Sequence, residues 1–166
     1  MMRGIYYAID DRDLQALRSQ PGDREKVAYV SEVIDAAKDS NFATETEKAW
    51  GLIHSALTRT SPCAECWDLD TRTSALGISV IGKEDLLSPD ATYMIGLVPN
   101  SDVPNVRDAL DAIQLEEFED RLRSLIDQHQ CEHLGEDDVE YAGYWFDNLK
   151  AVYRLAAEHG RHVLFT

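Results

Sequence analysis

Trp50, His54 and Thr58 recur at four-residue spacing in the stretch Lys48-Ala49-Trp50-Gly51-Leu52-Ile53-His54-Ser55-Ala56-Leu57-Thr58-Arg59-Thr60-Ser61. Helical geometry would put these three side chains on one side, with Thr60 and Ser61 just beyond the helix end. An imidazole on such a wall could act as general base or ligand donor, and the hydroxyls could hold a polar group. His54, Thr58, Thr60 and Ser61 are therefore the candidate ligand-binding residues, with Tyr6 or Tyr7 possible neighbours. The competing structural reading is a half-buried histidine bonded to backbone, with the hydroxyls closing the helix end. No carboxylate or nucleophile is fixed beside His54 by spacing, so no catalytic residue is assigned.

Cys63-x2-Cys66 has the spacing of two zinc thiolates, and Cys131-x-His133 could supply two more ligands from a distant loop. The metal candidates are thus Cys63 and Cys66, set against a default of free thiols in a polar loop. The carboxylate groups Asp10-Asp11-Arg12-Asp13, Asp68-Leu69-Asp70 and Glu136-Asp137-Asp138 lack the order of a calcium loop and read as helix caps. There is no phosphate-cradling glycine loop, no Gly-x-Ser-x-Gly elbow and no zinc-protease helix. No cofactor is expected.

The elements that must carry these residues can be read from periodicity. Gly4 to Ile9 is β-favouring and ends at aspartates able to cap a helix running from Asp11 to about Ser19. Pro21-Gly22-Asp23 breaks the chain before a second amphipathic helix with Val27, Val30, Val33, Ile34 and Ala37, ending near Lys38. Thr44 or Thr46 caps the helix of His54, which Ser61-Pro62 stops, and residues 62 to 74 read as a loop. Ala91 to Val98 reads as a buried strand. Val103 to Ile113 and Leu115 to Ile126 follow as helices, and a long helix after Glu136-Asp137-Asp138 is closed by Gly160. Along it, Tyr141, Tyr144, Trp145 and Tyr153 could line a groove or simply form core. His162 to Thr166 is a final strand. Strands near both ends and in the middle, with helices between, give an α+β plan, a small mixed β-sheet packed with several amphipathic helices in a single domain over residues 1 to 166.

Composition limits the function classes. The chain has 166 residues, 44% of them hydrophobic, which is enough for one domain with a real core. Its apolar runs fall far short of a membrane span. The opening Met1-Met2-Arg3-Gly4 turns quickly to charge and is not expected to be a signal peptide; with the odd count of three cysteines this predicts reduced thiols and a cytoplasmic location. The net charge of -15 lies mostly beyond residue 83, where 18 acidic residues face 6 basic ones. Such a field disfavours nucleic acid and anionic lipid and favours a basic protein partner. It leaves the oligomeric state open.

Two segments carry a family resemblance. The His54 stretch resembles the tryptophan-x3-histidine-x3-threonine-x-threonine-serine segment of the YfbM-like family, bacterial proteins of unknown function. Tyr144-Trp145-Phe146-Asp147-Asn148-Leu149-Lys150-Ala151-Val152-Tyr153-Arg154-Leu155-Ala156-Ala157-Glu158-His159-Gly160 is similar to that family's final helix, followed by its closing strand at Val163-Leu164-Phe165. Between the two threonines this chain has Arg59 where the family pattern has glycine. The resemblance implies an α+β fold and a bacterial domain with no established reaction. With no catalytic constellation, the expected role is a non-catalytic interaction protein whose acidic stretch from Asp102 to Glu140 meets a basic partner, as small proteins that neutralise toxins do. The alternative is a small-molecule or hydrolytic site around His54.

Overall fold

The computed structural model describes residues 4–37, 42–63 and 69–166. Among them, strand β1 (Gly4–Ile9) leads to helices α1 (Asp11–Arg18) and α2 (Asp23–Tyr29), the latter running into a π-helical turn at Val30–Ile34. Strand β2 (Ala43–Glu47), helix α3 (Trp50–Thr58), a 3-10 turn at Leu69–Thr73 and helix α4 (Ala75–Ile81) follow. Strands β3 (Glu84–Asp85) and β4 (Gly96–Val98) precede helices α5 (Val103–Asp111), α6 (Leu115–Gln128) and α7 (Glu136–Glu158), and β5 (His162–Phe165) comes last.

The five strands form one sheet in the order β2-β1-β5-β4-β3, and every pairing is antiparallel. The α+β plan holds, but the sheet is not mixed: no helix carries the chain between parallel neighbours, so each strand meets its partner head to tail. In the strand centres the period-2 alternation of side chains sorts the core into two layers. Tyr6, Ala8, Val98, Val163 and Phe165 face one cluster, which α3 to α7 cover with residues such as Ile53, Val80, Leu110, Phe118 and Phe146. Tyr7, Ile9, Leu97 and Leu164 face the other, covered by Leu14 and Leu17 of α1 and by Val30 and Ile34 of the π turn. Phe118 and Phe146 stack with ring centroids 4.3 Å apart and pin α6 to α7.

Local chemistry accounts for the boundaries. Asp10 accepts the Asp13 N–H at 2.9 Å and caps α1. Ser74 does the same for α4 by accepting from Gly77 at 3.0 Å. At α7 the Asp138 carboxylate accepts the Gly135 N–H at 2.9 Å, the reciprocal half of a capping box. Gly160, at φ 62°, closes α7 in the left-handed region.

The expected elements differ at four places. Ala43–Glu47 is an edge strand rather than a helix cap, because its alternating Thr and Glu side chains suit a half-exposed strand. The Thr46 carbonyl then accepts the Ala49 N–H at 2.9 Å, just before α3 begins. The strand expected from Ala91 is ordered as β only at Gly96–Val98. The expected loop ends in a 3-10 turn, and beyond it Ala75–Ile81 forms a helix capped by Ser74. The second amphipathic stretch changes from α to π geometry at Val30.

Candidate functional site

His54 is 5% exposed. The hydrophobic run Ile53, Ala56 and Leu57 pulls α3 into the core and takes the imidazole with it. Its Nε2 lies 3.2 Å from the Thr71 hydroxyl, supplied by the 3-10 turn. The other candidate hydroxyls finish the helix. Thr58 Oγ1 donates to the His54 carbonyl at 2.7 Å and lies 2.9 Å from Thr60 Oγ1. The Ser55 hydroxyl donates to the Ser61 carbonyl at 3.4 Å, and Ser61 Oγ accepts the Cys63 N–H at 3.4 Å. The structure thus gathers Thr58, Thr60 and Ser61 at the end of α3, one turn beyond His54, with the hydroxyls bonded to the backbone or to one another and His54 Nε2 beside Thr71.

Arg59 sits in the middle of this closure at φ 59° and ψ 35°, the left-handed region, and its N–H donates to the Ser55 carbonyl. That conformation explains why a glycine suits the position in the resembling family, since a Cβ there costs about 1 kcal/mol. Replacing Arg59 by glycine should therefore leave stability unchanged or raise it by up to about 1 kcal/mol. Arginine to alanine at the same place should gain nothing. Denaturant titration of the two variants checks this.

Cys63 is bonded to Cys131 as a disulfide, with Cα atoms 5.9 Å apart. The expectation of free thiols is corrected for this pair. The two residues are 68 positions apart, and only the packing of α3 against α6 brings the chain after one helix end to the chain after the other. While that bond stands, the Cys63 sulfur is not available as a zinc thiolate. Cys66 lies outside the described residues, His133 is exposed, and no cluster of three or more His, Cys, Asp or Glu able to hold a metal occurs among the described residues.

Two other places have more open chemistry. The first is a cavity of about 430 Å³ between β1 and the π turn, where the Tyr7 hydroxyl donates to Asp35 Oδ1 at 2.7 Å. Burial, and then the neighbouring carboxylate, hold the Tyr7 phenol well above its ordinary range. Tyr7 was only a possible neighbour of His54. It is instead turned to the opposite sheet face by strand alternation, which a one-residue register decides. Asp35 carried no sequence signal.

The second is the outer face of α7. Tyr144 is 66% exposed and Tyr141 39%. Both meet Trp145 edge to face, at 5.0 Å and 6.2 Å between centroids. Tyr153, from the same aromatic set, is core and donates to the Ser79 carbonyl at 2.8 Å. Asp137, Glu140 and Asp147 are exposed at helical spacing from Tyr141 and Tyr144, and none has an ion pair among the described residues. On neighbouring α6 the basic residues are already engaged: Arg123 pairs with Glu119, Asp120 and Glu136, and Arg121 pairs with Glu117.

A further histidine, His162, resembles a catalytic base but is tied down. Its Nδ1 accepts the Asn100 N–H at 2.9 Å, which leaves Nε2 to carry the proton donated toward Asp11 at 2.8 Å.

No curated protein matches the sequence. The fold is similar to the crystal structure of YfbM from Escherichia coli, a protein of unknown function, with a TM-score of 0.69 and 17% identity over 99% of this chain and 98% of that one. At that identity the likeness shows a shared fold. The sequence pattern of a domain of unknown function, DUF1877, matches residues 1–166, and the chain belongs to that family.

Proposed function

We propose that the chain is a non-catalytic binding protein that receives a basic protein partner on the acidic, aromatic face of α7, in the manner of small acidic proteins that neutralise a toxin. The observation that carries this reading is Tyr144, a large aromatic side chain 66% exposed and propped against Trp145, on a helix that also exposes Asp137, Glu140 and Asp147. Aromatic anchors rimmed by charge are the composition of interface hot spots. The surplus of acid in the second half of the chain would steer a basic partner toward this face and make the encounter salt-sensitive.

The test is capture from native cytosol on immobilised protein at low salt. A basic protein should be retained, released by high salt, and bound at least about tenfold more weakly by Tyr144→Ala. The melting temperature of that variant should stay within about a degree of the parent, because the ring is mostly in water. Retention that is indifferent to salt, or equal for Tyr144→Ala, would remove the support for this face.

A further inference from the structure

We propose that the cavity between the 3-10 turn, α4 and the start of α5 binds phosphate, either the free ion or the phosphate group of a small molecule. The site shares no residue with the acidic face of α7, and the proposal does not depend on the partner surface there.

Arg72 singles out this place. Its side chain is half-buried, and its Nη2 reaches the Ile81 carbonyl at 3.2 Å and the Met94 sulfur at 3.4 Å. Among the described residues its buried Nε has no hydrogen-bond partner, and no carboxylate lies within ion-pair distance of the guanidinium. Arginine keeps its charge even when withdrawn from water, so a half-buried guanidinium without a counter-ion is where an anion gains most. Burial pushes the Arg72 pKa down, and the field of Asp85 restores only part of it. Asp85 is itself turned to the backbone, where its Oδ1 accepts the Leu87 N–H at 3.1 Å and the Ile95 N–H at 3.4 Å.

The backbone holds Arg72 on a rigid support. The 3-10 turn lies so close to α4 that a Cβ on Gly77 would stand 1.6 Å from the Thr71 carbonyl oxygen, and only glycine admits that approach. Ser74 then caps α4 through the Gly77 N–H, which fixes the turn at the helix it packs against. A side chain carried by such a locked segment is positioned before any ligand arrives.

The cavity has a volume of about 180 Å³, and Thr73, Ser74, Lys83, Asp102 and Asn105 line it beside Arg72. Lys83 Nζ holds Asp102 Oδ2 at 2.8 Å, so the one carboxylate among these residues is already matched and Arg72 leaves the wall with a net positive charge. Ser74 Oγ accepts from Gly77 and keeps its O–H to donate, and the exposed Thr73 hydroxyl and Asn105 amide add further donors. Drug-sized ligands occupy about 300 Å³ or more, so a volume below that suits a compact oxyanion. A guanidinium with an ammonium and hydroxyl donors around it is the complement of phosphate oxygens. The acid excess of the whole chain opposes anions at long range, but salt at physiological strength screens exposed charges beyond about 8 Å and half-buried ones less. The grip on phosphate is therefore local.

Isothermal titration at neutral pH with inorganic phosphate and with phenyl phosphate, and with sodium chloride at matched ionic strength as control, tests the proposal. Phosphate should bind saturably with one site per chain, and chloride should not. Binding of inorganic phosphate alone assigns the free ion, and equal or tighter binding of phenyl phosphate assigns a phosphate group on a larger molecule; either upholds the site. Arg72→Gln should weaken binding about tenfold or more, the loss expected for a charge-assisted contact. Because that variant also disturbs the bond to the Ile81 carbonyl, its fold is checked by circular dichroism. Asn105→Asp keeps the fold, since the residue is exposed in the first turn of α5, and it sets a second carboxylate on the cavity wall, so it should weaken binding by about the same factor. No saturable binding of either phosphate to the parent chain overturns the proposal. So does equal binding of chloride, or undiminished binding in a folded Arg72→Gln or Asn105→Asp variant.

Discussion

Raising the pH above 10 should unfold the protein in one cooperative transition, losing up to about 4 kcal/mol of stability per pH unit. Three of its seven tyrosines are responsible. Tyr6 and Tyr153 are 1% exposed and Tyr7 3%, and burial holds all three phenols above their ordinary range. The sign follows from which state holds the protons. In the unfolded chain each tyrosine releases its proton near pH 10, while in the folded chain these three keep theirs, so stability is intact below that value and falls as pH rises through the window above it. Each retained proton costs about 1.4 kcal/mol per unit. Against a total stability of about 5 to 15 kcal/mol, about one to four units of pH are enough. Tyrosinate absorbance and far-ultraviolet circular dichroism should show the last three phenols ionising together with loss of helix. Ionisation of all seven near pH 10 with the helical signal intact would contradict the burial of β1.

Cys63→Ser should lower stability by about 4 kcal/mol, the chain-entropy value for a loop of this size. The bond joins positions 68 residues apart, and between them run the 3-10 turn, α4, β3, β4, α5 and α6, so cutting it frees a large part of the unfolded chain. For a domain of this length the melting temperature should fall on the order of 10 °C. Reductant supplies the control: it should lower the parent's melting temperature by a similar amount and leave Cys63→Ser unmoved. If reductant has no effect on the parent, the Cys63–Cys131 bond does not contribute to its stability.

What could be read in the residues was what local physics determines. β1, α1, α5, α6, α7 and β5 follow from alternation, helical periodicity and the aspartate and glycine signals at their ends, while the face of α7 that carries Phe146 onto Phe118 is set by helix docking. The His54 segment was legible as a helix and its closure, and Arg59 marked the one position where that closure is strained. Tertiary choices stayed hidden. Ala43–Glu47 is too polar to advertise a strand and becomes one because β1 needs a neighbour on its open edge. The pairing of Cys63 with Cys131 depends on helix docking, which no spacing encodes. The Tyr7–Asp35 contact requires both the strand register and a π turn. Neither leaves a pattern in the residues.

The strand order has a consequence for synthesis on the ribosome. β5 stands between β1 and β4, so the middle of the sheet is supplied by Val163, Leu164 and Phe165. Until those residues leave the exit tunnel, β1 has β2 as its partner and an open edge on the other side. Nascent chains stalled before His162 should therefore remain unfolded and recruit chaperones, and the finished chain must close contacts between residues more than 150 positions apart, a topology that favours slow folding. Folding of this domain waits on its last strand, whatever has been made before it.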